Sequence, residues 1–447
     1  MIGQKKFILV VILIFIFIIN SVAVNGFQKV QSNQENNYDL LIITKENFFD
    51  LLQKLADHKN SHNIKTKIVT INDVYNQMFW KGRDKPEKIK YFLKKALDEW
   101  NTKYVLFVGD YKDIPVRYVF NSFLNNTYTP PEGYFISDLY YSDIYDENKI
   151  FSSWDSNNNG IFGEWKNENA DDPFIDLVPD VSIGRLLCKN KYEVKIMVKK
   201  IIDYETNTHE KEWFNKIILV GGDTAPEIWD LNWTGYEGEE NMEKIIRNMT
   251  SFKPVKLKTS DKTFSRPFDI IKELNKGCGF FYLEGHANPY SWGAYMPNGT
   301  GWVDGLSTFN MNFLLNIGKN PICVIGGCRS LKFDINPILK CWGWKLTSKL
   351  LGGSIATIGC TSEWMIKEDK QSKNGAGDYL NQLLFWEYGK NSTTIIGNAI
   401  NNAITKYLEL YPINWNTPAQ SDYAIDAKTV QSYILLGDPS LKIGGYQ

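Results

Sequence analysis

Two stretches decide the reading: GFFYLEGHANPYSW, residues 279–292, and PICVIGGCRSLKFD, residues 321–334. Each holds a short apolar run, Phe280 to Leu283 in one and Ile322 to Ile325 in the other, bounded by glycine. Runs of this length and composition predict buried parallel strands. Just past the first run stands His286, and just past the second stands Cys328. Neighbouring parallel strands deliver their carboxyl ends to one edge of a sheet, which is where open α/β sheets carry their chemistry. A thiol becomes a nucleophile when a base or cation acts on it. The chain has four histidines in all. His58 and His62 belong to a Lys-rich early helix and His209 to the charged connector THEKEW, so His286 alone follows a buried strand.

Working outward, strand and helix patterns alternate. YDLLIIT (38–44), IKTKIVTI (64–71) and KYVLFVGD (103–110) read as strands. Helical patterns separate them, one of them GRDKPEKIKYFLKKALDEW with Pro86 in its first turn. VPDVSIGRLL and a helix from Lys191 to Tyr204 close a first half. A second half starts at KIILVGGD (216–223), runs through the His and Cys strands, a helix after Cys328 and GGSIATIGC, and ends at SYILLGDPSLKI. The alternation predicts an α/β fold of two consecutive subdomains, each a mainly parallel sheet flanked by helices. The expected boundaries are 38–210 and 211–447.

Residues 1–23 read as a secretory signal, with Lys5 and Lys6 before an apolar run from Phe7 to Ile19 and small residues at Ser21 and Ala23. An uncleaved N-terminal anchor is the rival reading. Residues 24–37 are a polar, flexible lead-in. No later segment is long and apolar enough to span a bilayer, so a secreted or cell-surface location follows, with no membrane contact beyond this signal or anchor. The formal net charge of −1 gives no electrostatic footprint for nucleic acid. Five of the six cysteines sit in or beside predicted buried elements, which suits free buried thiols better than a disulfide framework.

One loop has a different character. WDSNNNGIFGEW presents Asp155, Asn157, Asn159 and Glu164 as oxygen donors, with Gly160 permitting a turn. Calcium takes six to eight such oxygens, so a structural calcium ion is expected here. The match to an EF-hand is partial, because the twelfth loop position is Lys166. A turn capped by its own Asn and Asp side chains is the alternative.

Taken in order, YDLLIIT, the GRDKPEKIKYFL helix, YVLFVGD, WDSNNNGIFGEW, VSIGRL, LEGH, GGC and LLGDPSL resemble the C25 cysteine peptidases, the gingipain family of the caspase-like clan. The resemblance covers nearly the whole chain after the signal. It implies a caspase-like fold whose second subdomain holds a Cys–His dyad, protein or peptide substrates, and no cofactor for the chemistry. His286 matches the catalytic His and Cys328 the nucleophile. Trp292 matches a Trp that walls the substrate pocket. Asp223 falls near an acidic residue that orients the His; a turn cap is the other reading. Glu239 falls near the acidic pocket residue of Arg-specific members, with Glu237 and Glu240 close enough to substitute; a solvated helix start is the other reading. The resemblance thus implies an endopeptidase acting through a thioester, with a preference for basic P1 residues. An inactive surface-binding module and a transpeptidase are the alternatives. Two departures stand out. Ala287 replaces the Gly that usually follows the His, leaving its backbone N–H as an oxyanion donor, and YMPNGTGWV (295–303) lengthens the His–Cys connection. The chain ends soon after GDPSL, so neither the Ig-like domain of gingipains nor a long propeptide is expected.

Overall fold

The computed structural model describes residues 37–123, 133–224, 234–367 and 375–447. The expected signal and nearly all of the lead-in lie outside them.

Fifteen strands form among these residues: β1 Leu40–Thr44, β2 Thr66–Thr70, β3 Tyr104–Val108, β4 Tyr118–Phe120, β5 Tyr134–Ile136, β6 Ser182–Leu186, β7 Lys216–Gly221, β8 Lys253–Lys258, β9 Phe280–Glu284, β10 His286–Asn288, β11 Ser291–Tyr295, β12 Trp302–Ser307, β13 Ile322–Gly326, β14 Ala356–Cys360 and β15 Tyr433–Leu436. Ten of them build one sheet in the order β2-β1-β3-β6-β15-β14-β13-β9-β7-β8. Every pairing in it is parallel except β14 with β15. The central strands β1, β3, β9, β13 and β14 are buried along their whole length. That burial is why their sequences read as continuous apolar runs with no alternation.

The two predicted halves therefore share a sheet. β15, the last strand in the sequence, lies between β6 of the first half and β14 of the second, with Leu436 opposite Arg185. A Cβ on Gly184 would collide with the Gly437 carbonyl, so the VSIGRL and GDPS motifs meet through a glycine. Side chains reinforce the join. The ammonium of Lys200, on the helix Lys191–Asn207, donates to four carbonyls of the second half: Thr347, Lys349, Gly352 and Ser354, at 2.8–3.1 Å. Lys59 is buried between Glu205 and Asp438.

Helices start where their sequences say they should. Asp84 accepts from the Glu87 N–H at the head of Lys85–Trp100, with Pro86 in the first turn. Asn190 does the same for Lys191–Asn207 through the Glu193 N–H. The helix expected directly after Cys328 begins later, at Trp342–Thr347, with Cys341 as its N-cap. The intervening segment is a turn in which Arg329 has a positive φ of 55°. All six cysteines are free thiols.

Beyond β9 the chain leaves the main sheet and builds a small antiparallel one, β10-β11-β12. His286 is paired with Gly293, and Gly293 with Asp304.

Candidate active site

The site is fixed by one register. In the β9–β13 ladder Glu284 lies opposite Gly326. His286 and Cys328 each lie two residues further along their chains, so parallel pairing brings both to the same sheet edge. The Gly285 N–H donates to the Gly326 carbonyl at 3.3 Å and carries the pairing one step past the strands. Gly327 is needed here: a Cβ on it would stand 2.7 Å from the Ala287 Cβ. The methyl that Ala287 adds beside the His is thus accommodated by the glycine that precedes the Cys.

The half-buried His286 ring is hydrogen-bonded to the backbone of Thr224. It packs edge-on against Tyr295 at 5.3 Å and near Trp302 at 6.0 Å, ring centre to ring centre. Burial pulls its pKa below the ordinary histidine value, partly opposed by the Thr224 contact. The Cys328 sulfur accepts from the backbone N–H of Trp364 at 3.3 Å. Burial pushes its thiol above the ordinary value. The Trp364 amide and the Arg329 guanidinium pull the other way, and the Glu363 carboxylate adds to the rise. Both shifts favour the neutral forms, thiol and imidazole, over a resting ion pair. No helix N-terminus follows Cys328 to lower its pKa, because the next helix starts at Trp342.

The other expected site residues are placed as follows. Asp223 lies beside the His loop, bridged to Tyr295 through backbone N–H···O bonds. Its carboxylate accepts the Gly299 N–H at 2.9 Å. Trp292 does not face solvent. It is 2% exposed, stacks on Phe264 and donates its indole N–H to the Gly326 carbonyl, so it supports the two strand ends from beneath. Glu239 is buried, and its carboxylate accepts from the Ser260 N–H at 3.0 Å and the Ser260 hydroxyl at 2.7 Å. Its oxygens are thereby tied to the turn after β8. Glu237 accepts the Gly235 N–H at 2.8 Å, and Glu240 accepts the Thr234 hydroxyl at 3.1 Å. Sequence reasoning missed Thr224, Glu284 and Trp364. Trp364 follows the end of β14, the strand next to β13, so the strand-end logic that found His286 and Cys328 would also have found it.

The expected calcium loop is closed by protein groups. Asp155 accepts from Arg83 at 2.6 Å and from the N–H groups of Asn159 and Gly160. Asn157 accepts the Asn159 N–H at 2.9 Å. Glu164 accepts the Asn159 side-chain amide at 2.6 Å and pairs with Lys166. Among the described residues, no group of three or more His, Cys, Asp or Glu side chains is set to hold a metal ion. Arg83 and Lys166 thus sit against the Asp155 and Glu164 carboxylates that a calcium ion would use.

This is the α/β architecture of the caspase-like fold, with a His and a Cys at adjacent strand ends. The model of peptidase family C25 matches residues 33–444, and the chain belongs to that family. Among curated proteins it is similar to gingipain R2 of Porphyromonas gingivalis strain ATCC BAA-308 / W83, 20% identical over 418 residues, covering 92% of this chain and 46% of the relative. Gingipain R1 of Porphyromonas gingivalis is also 20% identical, with 34% of its length covered. The chain thus spans less than half the length of these relatives. Among solved structures it is similar to the Arg-specific cysteine proteinase gingipain R (RgpB), with a TM-score of 0.63 and 20% identity over 92% of this chain and 79% of that one. The complex of the Porphyromonas gingivalis RgpB pro- and mature domains gives the same TM-score, with 90% of this chain covered.

Proposed function

We propose that the chain is an exported cysteine endopeptidase working through Cys328 and His286. The observation that carries the reading is the shared register: the two reactive side chains stand equally far beyond the Glu284–Gly326 pair on adjacent parallel strands. Family membership supports the reaction class. His286 takes the Cys328 thiol proton as the sulfur attacks the scissile carbonyl carbon. His286 delivers a proton to the leaving amine as the C–N bond breaks, leaving a thioester. Water then attacks the thioester, His286 takes its proton, and the C–S bond breaks to release the acid and restore the thiol. The backbone N–H groups of Cys328 and Ala287 are the proposed oxyanion donors, each worth about a hundredfold or more in rate where such donors have been removed.

A preference for basic P1 side chains is part of the proposal. It rests on the acidic first turn of the helix Glu237–Asn248 and on the Arg specificity of the solved relative. Because Glu239 is committed to Ser260, the half-buried Glu240 is the proposed carboxylate in its place. Export is proposed from the N-terminal pattern; among the described residues no helix is long and apolar enough to cross a membrane. Digestion of an unstructured protein, with the cut sites read by mass spectrometry, tests the whole reading. Cuts after Arg or Lys support it. Cuts after large apolar or acidic residues reject the P1 preference and leave the peptidase reading standing. No cuts with any unstructured substrate reject the peptidase reading.

A further inference from the structure

Beneath the two strand ends lies a pair of carboxyl groups that the chemistry above does not use. Glu284 closes β9 and is fully buried; Asp378, in the first turn of the helix Gly377–Gly389, is 1% exposed. The two side chains are hydrogen-bonded to each other. The indole N–H of Trp364 reaches both, 3.2 Å from Glu284 Oε1 and 3.3 Å from Asp378 Oδ1. The backbone N–H of the same Trp364 is the group that donates to the Cys328 sulfur. One residue therefore has its side chain anchored on the carboxyl pair and its main chain on the thiol. We propose that Glu284 is a positioning residue for Cys328, acting with Asp378 through the Trp364 indole to hold the backbone amide that faces the sulfur. This rests on the reading of Cys328 as the nucleophile.

The surroundings are built for the pair. A Cβ on Gly326 would collide with both Glu284 oxygens, so the residue opposite Glu284 in the ladder is glycine for want of space. Each packed element also contributes a polar group. β9 gives the Tyr282 hydroxyl, bonded to Glu284. The helix Glu237–Asn248 gives Asn241, whose amide is 3.4 Å from Glu284 Oε2. The helix Gly377–Gly389 gives Asn381, which accepts from Tyr433 of β15 at 2.8 Å, and Cys360 of β14 lies against Tyr433. Burial, the Asp378 carboxyl, Tyr282 and Asn241 are the main influences on the acidity of Glu284. Burial and the like-charged neighbour raise its pKa well above the ordinary carboxylate value. Two close carboxyls favour keeping one proton between them. The indole N–H donates only, and a carboxyl pair with one proton offers it acceptors on both sides. The amide so held stabilises a thiolate more than a thiol, since hydrogen bonds to a charged form favour that form.

The test is alkylation of Cys328 in the full chain by iodoacetamide across pH, read by peptide mass spectrometry, which needs no turnover. Glu284→Gln keeps an acceptor for the indole and a donor for Asp378, and is expected to reproduce the wild-type pH profile. Glu284→Leu removes both. Trp364→Phe keeps an aromatic ring and the backbone amide and removes the indole donor with part of the ring, so it carries the test if the leucine variant does not fold. Both are expected to raise the alkylation midpoint by about one pH unit and to slow alkylation near neutral pH about tenfold. A merely structural role would lower the melting temperature and leave the midpoint unmoved. A wild-type midpoint in both Glu284→Leu and Trp364→Phe, or a Glu284→Gln profile displaced as far as that of Glu284→Leu, overturns the proposal. An enzyme inactive on peptides whose Cys328 midpoint still shifts in these variants would reject the peptidase reading and keep this one.

Discussion

The contact between Gly327 and Ala287 permits a quantitative test of how the His and Cys strand ends meet. Gly327→Ala introduces a methyl 2.7 Å from the Ala287 Cβ, 3.2 Å from the Ala287 nitrogen and 3.3 Å from Trp292 Cδ1. Carbons pack at about 3.5–4.0 Å, so the first contact is about 1 Å too short and the other two are tight. Overpacking of this kind costs about 1–3 kcal/mol. Ala287→Gly alone removes one small, half-buried methyl from an edge strand and costs under about 1 kcal/mol. In the double variant the shortest clash is gone while the two tight contacts remain. It is therefore expected to be more stable than Gly327→Ala by about 1 kcal/mol, giving a coupling energy of the size seen for touching residues. Urea denaturation of the wild type, both single variants and the double variant measures this as a cycle of midpoints at constant slope. Additive midpoints would refute the claim that the two strand ends touch at these residues, and the dyad geometry with it.

Three further outcomes are expected. Lys200→Met leaves four carbonyls, three of them in fully buried bonds, without this donor and is expected to destabilise the chain by about 3 kcal/mol or more in urea; a change under about 0.5 kcal/mol would show that the join between the halves does not depend on this amine. Glu363, flanked by Lys428 and Arg329, has its pKa pulled down to about 2 against the pull of burial. A depressed carboxylate contributes stability above its unfolded value, near 4.5, and that stability is lost as pH falls toward the folded value. Glu363→Gln is thus expected to cost about 3 kcal/mol at neutral pH and progressively less in acid, and an equal penalty at both ends would show that the charge contributes nothing. For the loop holding Asp155 and Glu164, the calcium proposal predicts a melting temperature that rises with calcium, falls with chelator and stops responding in Asp155→Ala. A melt indifferent to both leaves Arg83 and Lys166 as the loop's only cations.

Much of this architecture was legible because buried parallel strands carry a continuous apolar signal. β1, β3, β9 and β13 were read that way, and the residues just past β9 and β13 were the ones the register brings together. The sheet formed by β10, β11 and β12 was not legible. β10 is three residues long, Pro289 interrupts the following turn, and Gly293 and Gly305 blur any alternation. The helix Asp422–Ser432 has little local signal for the opposite reason: from Ala424 onward it is buried on every side, so no polar face marks a helical period. The insertion of β15 between the halves depends on Gly184 and Gly437 letting two backbones approach, a tertiary fact with no local signature. The surroundings of the site were hidden in the same way. Glu284, Trp364 and Asp378 come from separate segments, and only the folded sheet places them together. Trp292 and Glu239 show what motif position leaves out. Motif position located them near the site, but sequence alone did not reveal that one is buried beneath it and the other bound to Ser260.

The central claim is that Cys328 is the nucleophile, and turnover by Cys328→Ala tests it most directly. The substitution deletes one sulfur from a half-buried turn, so circular dichroism should match the wild type while the urea midpoint falls modestly through loss of the acceptor for the Trp364 amide. Peptide cleavage should fall by about a thousandfold or more, as when the nucleophile of a catalytic unit is removed. Near-normal cleavage by the folded Cys328→Ala protein would contradict the account.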